Sequence, residues 1–439
     1  MNDLTLLLLI ANAFIMGIGI AYLCLKRYHL AVFLMALSPG LSTVFISTNA
    51  EGVEEAGIGS YMRIALIMLI GAAGLAYFVQ TKLIRLNQIP SLYKLFGLFL
   101  LLALASTSYS LDPRYTFVRS ASFVGVFAFL VGLYSWLQNR QRWAQALHAL
   151  FLMVALGTML SLVFMKVLPE RAWNEAVDGR FQGFWSHPNT MGSFCTLSYP
   201  VLLWKYSKGG LATKLMIIVL GLTLFGLQLL TGSRGSLVGA VLGIGTWLVV
   251  LRKNVKLLLM LTAVGSAGLL IMQMKPASFK RAGEYANATD LSGREEFWAA
   301  CYQIIQEKPL FGYGYAVEGK VWSDPRFHKP GYILWSGSAR TSLHNGYLSV
   351  IVGVGMLGFA IWSIILFVPY WQSWRLPRGD HKAFVLAIMS ICLVVNFIET
   401  EIASGNSYAS MLFWIAWAMA VTLLHDSQSG HGSDEAKVS

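Results

Sequence analysis

The sequence predicts an all-α, polytopic membrane protein with one large extramembrane loop. Three observations carry that prediction. The chain of 439 residues is 56% hydrophobic and only 12% charged, with a mean hydropathy of +0.60. Its apolar residues gather in about a dozen runs that approach the ~20 residues a helix needs to cross a bilayer. Its basic residues cluster in every second connector between those runs, as alternating topology requires. The period-two alternation of a transmembrane barrel is not seen in the sequence.

The runs fall at roughly 4–25, 29–45, 64–79, 95–110, 119–137, 144–167, 190–204, 215–230, 234–251, 257–272, 344–369, 383–398 and 409–424. They make twelve helices, or thirteen if the short stretch around Pro39-Gly40 also crosses. Leu4–Leu25 has neither a basic leader nor a small-x-small cleavage site, and is expected to be a retained span. The resulting organisation is a helix bundle over 1–274, a loop domain with an amphipathic helix over 275–341, C-terminal spans over 342–425 and a polar tail over 426–439. The strongly basic connectors are Lys82/Arg85/Lys94, Arg140/Arg142, Lys205/Lys208/Lys214, Arg252/Lys253/Lys256 and Arg375/Arg378/Lys382. By the positive-inside rule they face the cytoplasm, and so does the C-terminal tail.

The opposite, outer face also holds arginines, among them Arg63, Arg114, Arg119, Arg171, Arg180, Arg234, Arg294 and Arg340. Positive charge in short outer connectors runs against the usual bias, and bidentate guanidinium groups suit phosphate. The four cysteines, Cys24, Cys195, Cys301 and Cys392, form no CxxC or Cys/His cluster. Neither a disulfide framework nor a zinc site is supported, and no cofactor, metal or nucleic acid is expected.

Three helix starts in unusual polar sequence face outward. In GRFQGFWSHPNTMG, Gly179–Gly192, Arg180, His187 and Asn189 precede an apolar run. Asn189 is the expected N-cap, and Pro188 blocks an earlier start. In LLTGSRGSLVGA, Leu229–Ala240, Ser233 is the expected cap and Arg234 falls in the first turn. Gly232 and Gly235 flank it and let backbone N–H groups approach an anion. In TSLHNGYLSVIVGVGMLG, Thr341–Gly358, Ser342 is the expected cap, and His344 with Asn345 opens a long apolar run. The positive end of that helix favours an uncharged imidazole, the form that can accept a proton. Within the loop, LSGREEFWAACYQIIQEKPLFGYGY, Leu291–Tyr315, carries a capping-box spacing at Ser292 and Glu295. Arg294, Trp298, Cys301 and Ile305 share one helical face, and Pro309 ends the helix. Each feature also has a plain structural reading, as a capped helix entry or a snorkelling arginine.

In this order, GRFQGFWSHPNTMG, TGSRGS, GREEFWAACYQIIQEKPLFGYG and LHNGYL resemble the O-antigen ligase/polymerase superfamily. The similar region runs from STSYSLDPRYTFVRS, near Ser106, to Gly358. The resemblance implies a lipid-dependent glycosyltransferase of GT-C type, with the active site at the periplasmic face of the bacterial inner membrane. It implies a glycan donor on undecaprenyl diphosphate and, for a ligase, a lipid A–core acceptor, both met within the phospholipid bilayer. It places the family's essential arginines on Arg234 and Arg294, its histidine on His344, and a basic position on Arg180. His187, Asn189 and Asn345 are the expected substrate-binding neighbours. The expected chemistry is a metal-independent inverting transfer, with His344 as base and arginines on the diphosphate. An O-antigen polymerase or a protein O-oligosaccharyltransferase would use the same donor with another acceptor. A transporter would need ionisable groups inside its spans, which are almost free of them.

Overall fold

In a bilayer every backbone N–H and C=O must find its partner inside the protein, so long apolar runs become helices. The structure is a computed structural model that describes residues 17–41, 58–81, 88–175, 179–251, 294–321, 343–400, 402–403 and 407–428. Helix α1 is Gly17–Lys26. The others are α2 Tyr28–Leu41, α3 Ile58–Thr81, α4 Ser91–Ala105, α5 Pro113–Leu137, α6 Gln141–Val167, α7 Pro188–Lys208, α8 Leu211–Leu230, α9 Arg234–Val250, α10 Arg294–Glu307, α11 Gly346–Ser373, α12 Asp380–Val395 and α13 Tyr408–Gln428.

The chain is thus an all-α, multi-pass membrane protein. Among the described residues, α3, α4 with its one-turn extension, α5, α6, α8, α11 and α13 are long and apolar enough to cross a membrane. The count therefore stands at seven by length and composition, against the expected twelve or thirteen. Shorter α1, α2 and α9 are apolar as well. Helix α12 is only 16 residues long, and α7 opens on polar residues and ends on Lys205 and Lys208. The expected span at 257–272 lies outside the described residues. A small antiparallel ladder, unforeseen in the sequence, pairs Trp173 with Phe181 and Asn174 with Arg180.

Small residues let the helices touch, as they do where lipid supplies no hydrophobic drive between them. Gly71, Gly74, Gly125 and Gly132 bring the backbones of α3 and α5 together. Helix α13 runs through the centre, with Trp414 and Trp417 fully buried. Trp417 donates its indole N–H to Ile365 O at 2.8 Å.

Helices α5, α7, α9, α11 and α13 start at one end of the bundle, and α4, α6, α8 and α12 return to it. Among the described residues, the opposite end gathers basic connectors, where Lys208 meets Asp380, Arg140 meets Asp426 and Lys205 meets His148.

Helix α11 is broken. Gly355 has φ +67° and a non-helical ψ. The loop segment after α10 fills the break. Tyr313 N donates to Val352 O at 2.9 Å and Gly314 N to Gly353 O at 2.8 Å, while Met356 N donates to Pro309 O at 2.8 Å and Leu357 N to Leu310 O at 3.3 Å. Four groups that a continuous helix would pair internally are satisfied from outside. The break is a sharp bend. On a straight helix Tyr347 and Phe367 would lie about 30 Å apart, yet their rings stack at 6.2 Å. A side chain at Gly355 would collide with the Leu310 backbone.

Candidate functional site

Four polar segments meet at the end where α7, α9, α11 and α13 begin. The first is the hairpin ending at Phe181 that leads into α7. His187 is the N-cap there: its Nδ1 accepts from Asn189 N at 3.1 Å. Pro188 occupies the first helical position, where its missing N–H costs nothing. Asn189, expected as the cap, is instead the second helical residue, so its side chain is released for other work.

The second segment is the Thr231–Ser236 turn. Ser233 stands at the cap position without a side-chain cap bond, and Arg234 opens α9 as expected. Gly235 abuts Ile398, and a Cβ at Gly232 would lie 3.2 Å from Arg180 Nε. Arg234 is partly exposed, and no acceptor among the described residues holds its guanidinium.

The third is the entry to α11. Asn345, not Ser342, caps the helix, accepting from Tyr347 N and Leu348 N at 3.0 Å each. Ser342 lies outside the described residues. His344 therefore precedes the cap instead of lying in the first turn, with φ +49°. A left-handed backbone on a residue with a Cβ costs about 1–2 kcal/mol. Such outliers persist where the surroundings over-determine them, often at functional sites.

The fourth segment follows α12. Gly346 N donates to Asn396 O at 2.8 Å, and Asn396 Oδ1 accepts from Ile402 N at 3.2 Å. This turn carries Glu399, which joins the other segments. His344 Nδ1 lies 3.0 Å from Glu399 Oε2. Asn189 Nδ2 donates to Glu399 Oε1 at 2.7 Å. Arg180 donates from Nη2 to Asn189 Oδ1 at 2.8 Å and from Nε to Thr231 O at 2.6 Å. The result is a line of hydrogen bonds, Thr231–Arg180–Asn189–Glu399–His344, across four chain segments. The side chains of His344 and Glu399 are 30% and 16% exposed, so the pair is shielded yet reachable.

Chemically, an ionised carboxylate only accepts, so the Glu399 bond requires the proton on Nδ1 and leaves the lone pair on Nε2. That tautomer can take a proton from a substrate, and the carboxylate then stabilises the imidazolium. Glu399 is not among the candidates that the sequence singles out. Its position 55 residues beyond His344 leaves no local spacing to find it by. The available signal was two acids, Glu399 and Glu401, beside an arginine-rich face; Glu401 is outside the described residues.

Arg294 opens α10, and it is described by its backbone only. The helix packs through Cys301 and Ile304 into a buried cluster with Tyr313, Val317, Val321, Leu343 and Val352. Leu343 adjoins His344, so the loop domain and the catalytic candidate share one core. Arg340 lies outside the described residues. Among the described residues, no three His, Cys, Asp or Glu side chains group as metal ligands.

Residues 217–363, which contain Arg234, Arg294 and His344, match the family described as O-Antigen ligase. An O-antigen ligase of Pseudomonas aeruginosa is 28% identical over 226 residues, which are 50% of this chain and 50% of that relative. The match thus spans about half the length of the relative. Motif order, membrane fold and these two matches support the O-antigen ligase superfamily for this chain.

Proposed function

We propose that this protein is an O-antigen ligase of the bacterial inner membrane. It would take a glycan from undecaprenyl diphosphate and attach it to a sugar hydroxyl of lipid A–core at the periplasmic face. The observation that carries this reading is the His344–Glu399 pair, set beside Arg180 and Arg234 at the start of α9. A base oriented by a carboxylate and cations for a diphosphate are the two parts that glycosyl transfer needs.

In this mechanism the acceptor hydroxyl gives its proton to His344 Nε2 as its oxygen attacks the anomeric carbon. The anomeric C–O bond to the diphosphate breaks, and its electron pair leaves with the phosphate. Attack from the opposite side inverts the anomeric centre. Arg234 and Arg294 stabilise the developing negative charge, and the first N–H groups of α9 add their dipoles. Arg180 works partly through others: two of its donors hold Asn189 and Thr231. Asn189 holds Glu399, Asn345 fixes the turn that presents His344, and His187 caps the helix that presents Asn189. The basic connectors at the other end of the bundle support a cytoplasmic location for that end, and hence for the C-terminus.

The purified protein should transfer glycan from a polyprenyl-diphosphate donor to lipid A–core, and His344→Ala should cut that transfer by about 10²–10⁴-fold. Full activity in that variant would remove His344 from the base role. The superfamily's polymerases share the donor, and the ligase named among the relatives favours ligation. A deletion strain separates them, because loss of a ligase leaves core without O-antigen and loss of a polymerase leaves core bearing one repeat.

A further inference from the structure

A second polar cluster lies where the loop domain meets the start of α5, and the mechanism above does not use it. Asp112 caps α5, with Oδ1 accepting from Tyr115 N at 3.0 Å. One turn on, Arg119 donates from Nη2 to the Tyr115 hydroxyl at 2.7 Å, and its guanidinium carbon sits 4.9 Å from the Tyr115 ring centre. The loop's one-turn helix Glu318–Val321 covers this turn. From it, Lys320 Nζ reaches Asp112 Oδ2 at 3.5 Å and lies 5.7 Å from the same ring. One phenol therefore organises two cations that come from different parts of the chain. The seam is fixed: Thr116 Oγ1 donates to Tyr315 O at 3.1 Å, and Leu111 N to Tyr313 O at 3.0 Å. Tyr315 in turn donates its hydroxyl to Ala403 O, in the connector that also holds Glu399.

Glu318 makes the cluster more than a surface ion group. Its Oε2 is shielded from solvent and accepts no hydrogen bond. Burial raises the pKa of this carboxyl, against the pull of its own backbone hydrogen bond and of Arg119. Arg119 is close enough to be felt, yet the two form no ion pair. A shielded carboxyl oxygen without a partner is destabilising, a cost that a hydroxyl-bearing ligand would remove. Arginine and lysine heads ask for an anionic or acceptor-rich group.

The geometry points to a binding site for the acceptor glycan at Tyr115, Arg119, Glu318 and Lys320, specific for a sugar that carries a phosphoryl or carboxylate substituent. A ring hydroxyl donates to Glu318, and the acidic substituent meets Arg119 and Lys320. This inference rests on the transferase reading but assigns the acceptor to residues that carry out no bond change. It also gives the loop domain a role in recognition, because by closing on α5 it completes a subsite to which neither part suffices alone.

The test uses the full-length protein in detergent. The probe is a lipid-free phosphorylated core oligosaccharide, with its phosphatase-treated counterpart as comparison, and binding is read by saturation-transfer NMR and calorimetry. The phosphorylated probe is expected to bind at least tenfold more tightly. Arg119→Ala and Lys320→Ala should erase that preference, and Arg119→Lys should restore part of it. Glu318→Gln, which keeps the volume, should weaken both probes several-fold. In transfer assays Arg119→Ala should raise KM for the acceptor tenfold or more and leave donor KM and kcat within twofold. Thermal melts must match the wild type for a variant to count, and Glu318→Gln and Arg119→Lys serve where an alanine variant fails that control. Equal binding of both probes, or variants that bind both as the wild type does, would overturn the proposal. If His344→Ala cuts transfer while Arg119→Ala leaves acceptor KM unchanged, the transferase reading stands and this site falls. If binding depends on Arg119 in a protein without transferase activity, the site stands and the reaction falls.

Discussion

At the connector end of the bundle, Lys208 meets Asp380 at 2.9 Å and Arg140 meets Asp426 at 3.8 Å, with the basic side chains 59% and 49% exposed. At the other end, Arg180, Asn189, Glu399 and His344 form one line of contacts of 2.7–3.0 Å, each residue oriented by the next. Both ends carry charged side chains, but they use them differently. Exposed pairs are screened and lose side-chain entropy, so each contributes about 0–1 kcal/mol. A shielded line of side chains held by directed hydrogen bonds gains little more in stability, yet it fixes a tautomer and a direction. The comparison separates charge that sets topology from charge that sets chemistry.

The sharpest way to break this contrast is His344→Ala. Loss of a general base should cut transfer by about 10²–10⁴-fold, measured with purified enzyme and saturating donor. Lys208→Ala at the other end should stay within twofold in the same assay. Glu399→Gln comes next: the amide can present its N–H₂ to the imidazole and so select the wrong tautomer. About a hundredfold fall in kcat, with KM little changed, is expected by analogy with outer-shell carboxylates; unchanged kcat would make Glu399 merely structural.

The remaining predictions concern stability. Gly355→Ala places a Cβ at φ +67° against Leu310. It should cost about 2 kcal/mol or more from backbone strain and the clash, read as a lower melting temperature in detergent. Asn345→Ala should cost about 1 kcal/mol through the lost cap and should also lower transfer, because the same turn holds His344. Lys208→Ala should change stability by less than about 0.5 kcal/mol. A larger loss there would show that the connector end is more tightly coupled than its exposure suggests.

Much of this division could be read in the sequence. The alternation of basic connectors foretold which loops share an end, because charge placement follows topology and topology is written in local composition. Arg180, Asn189, Arg234 and His344 stood out because each interrupts apolar sequence at a helix start. Helix caps were harder, since Ser, Asn and His compete within two or three residues and local geometry decides. That is why His187 and Asn345, rather than Asn189 and Ser342, hold the helix ends. Glu399 was hidden because Asn189 and His344, which it joins, come from two other segments and only tertiary folding brings them together. The bend at Gly355 was hidden for a related reason. The run 346–369 carries no charged residue to mark the break, and the groups that stabilise its interruption belong to the segment after α10.

That interruption limits how the protein can be recombined. The backbone of 309–314 completes the hydrogen bonding of 352–357, so neither stretch is a self-sufficient module. A chimera that takes its loop segment from one relative and α11 from another joins two halves of a single hydrogen-bonded unit. It should fail unless the spacing around Gly312, Gly314 and Gly355 is carried over intact. Exchanges that move 294–373 as one block should be the ones that survive.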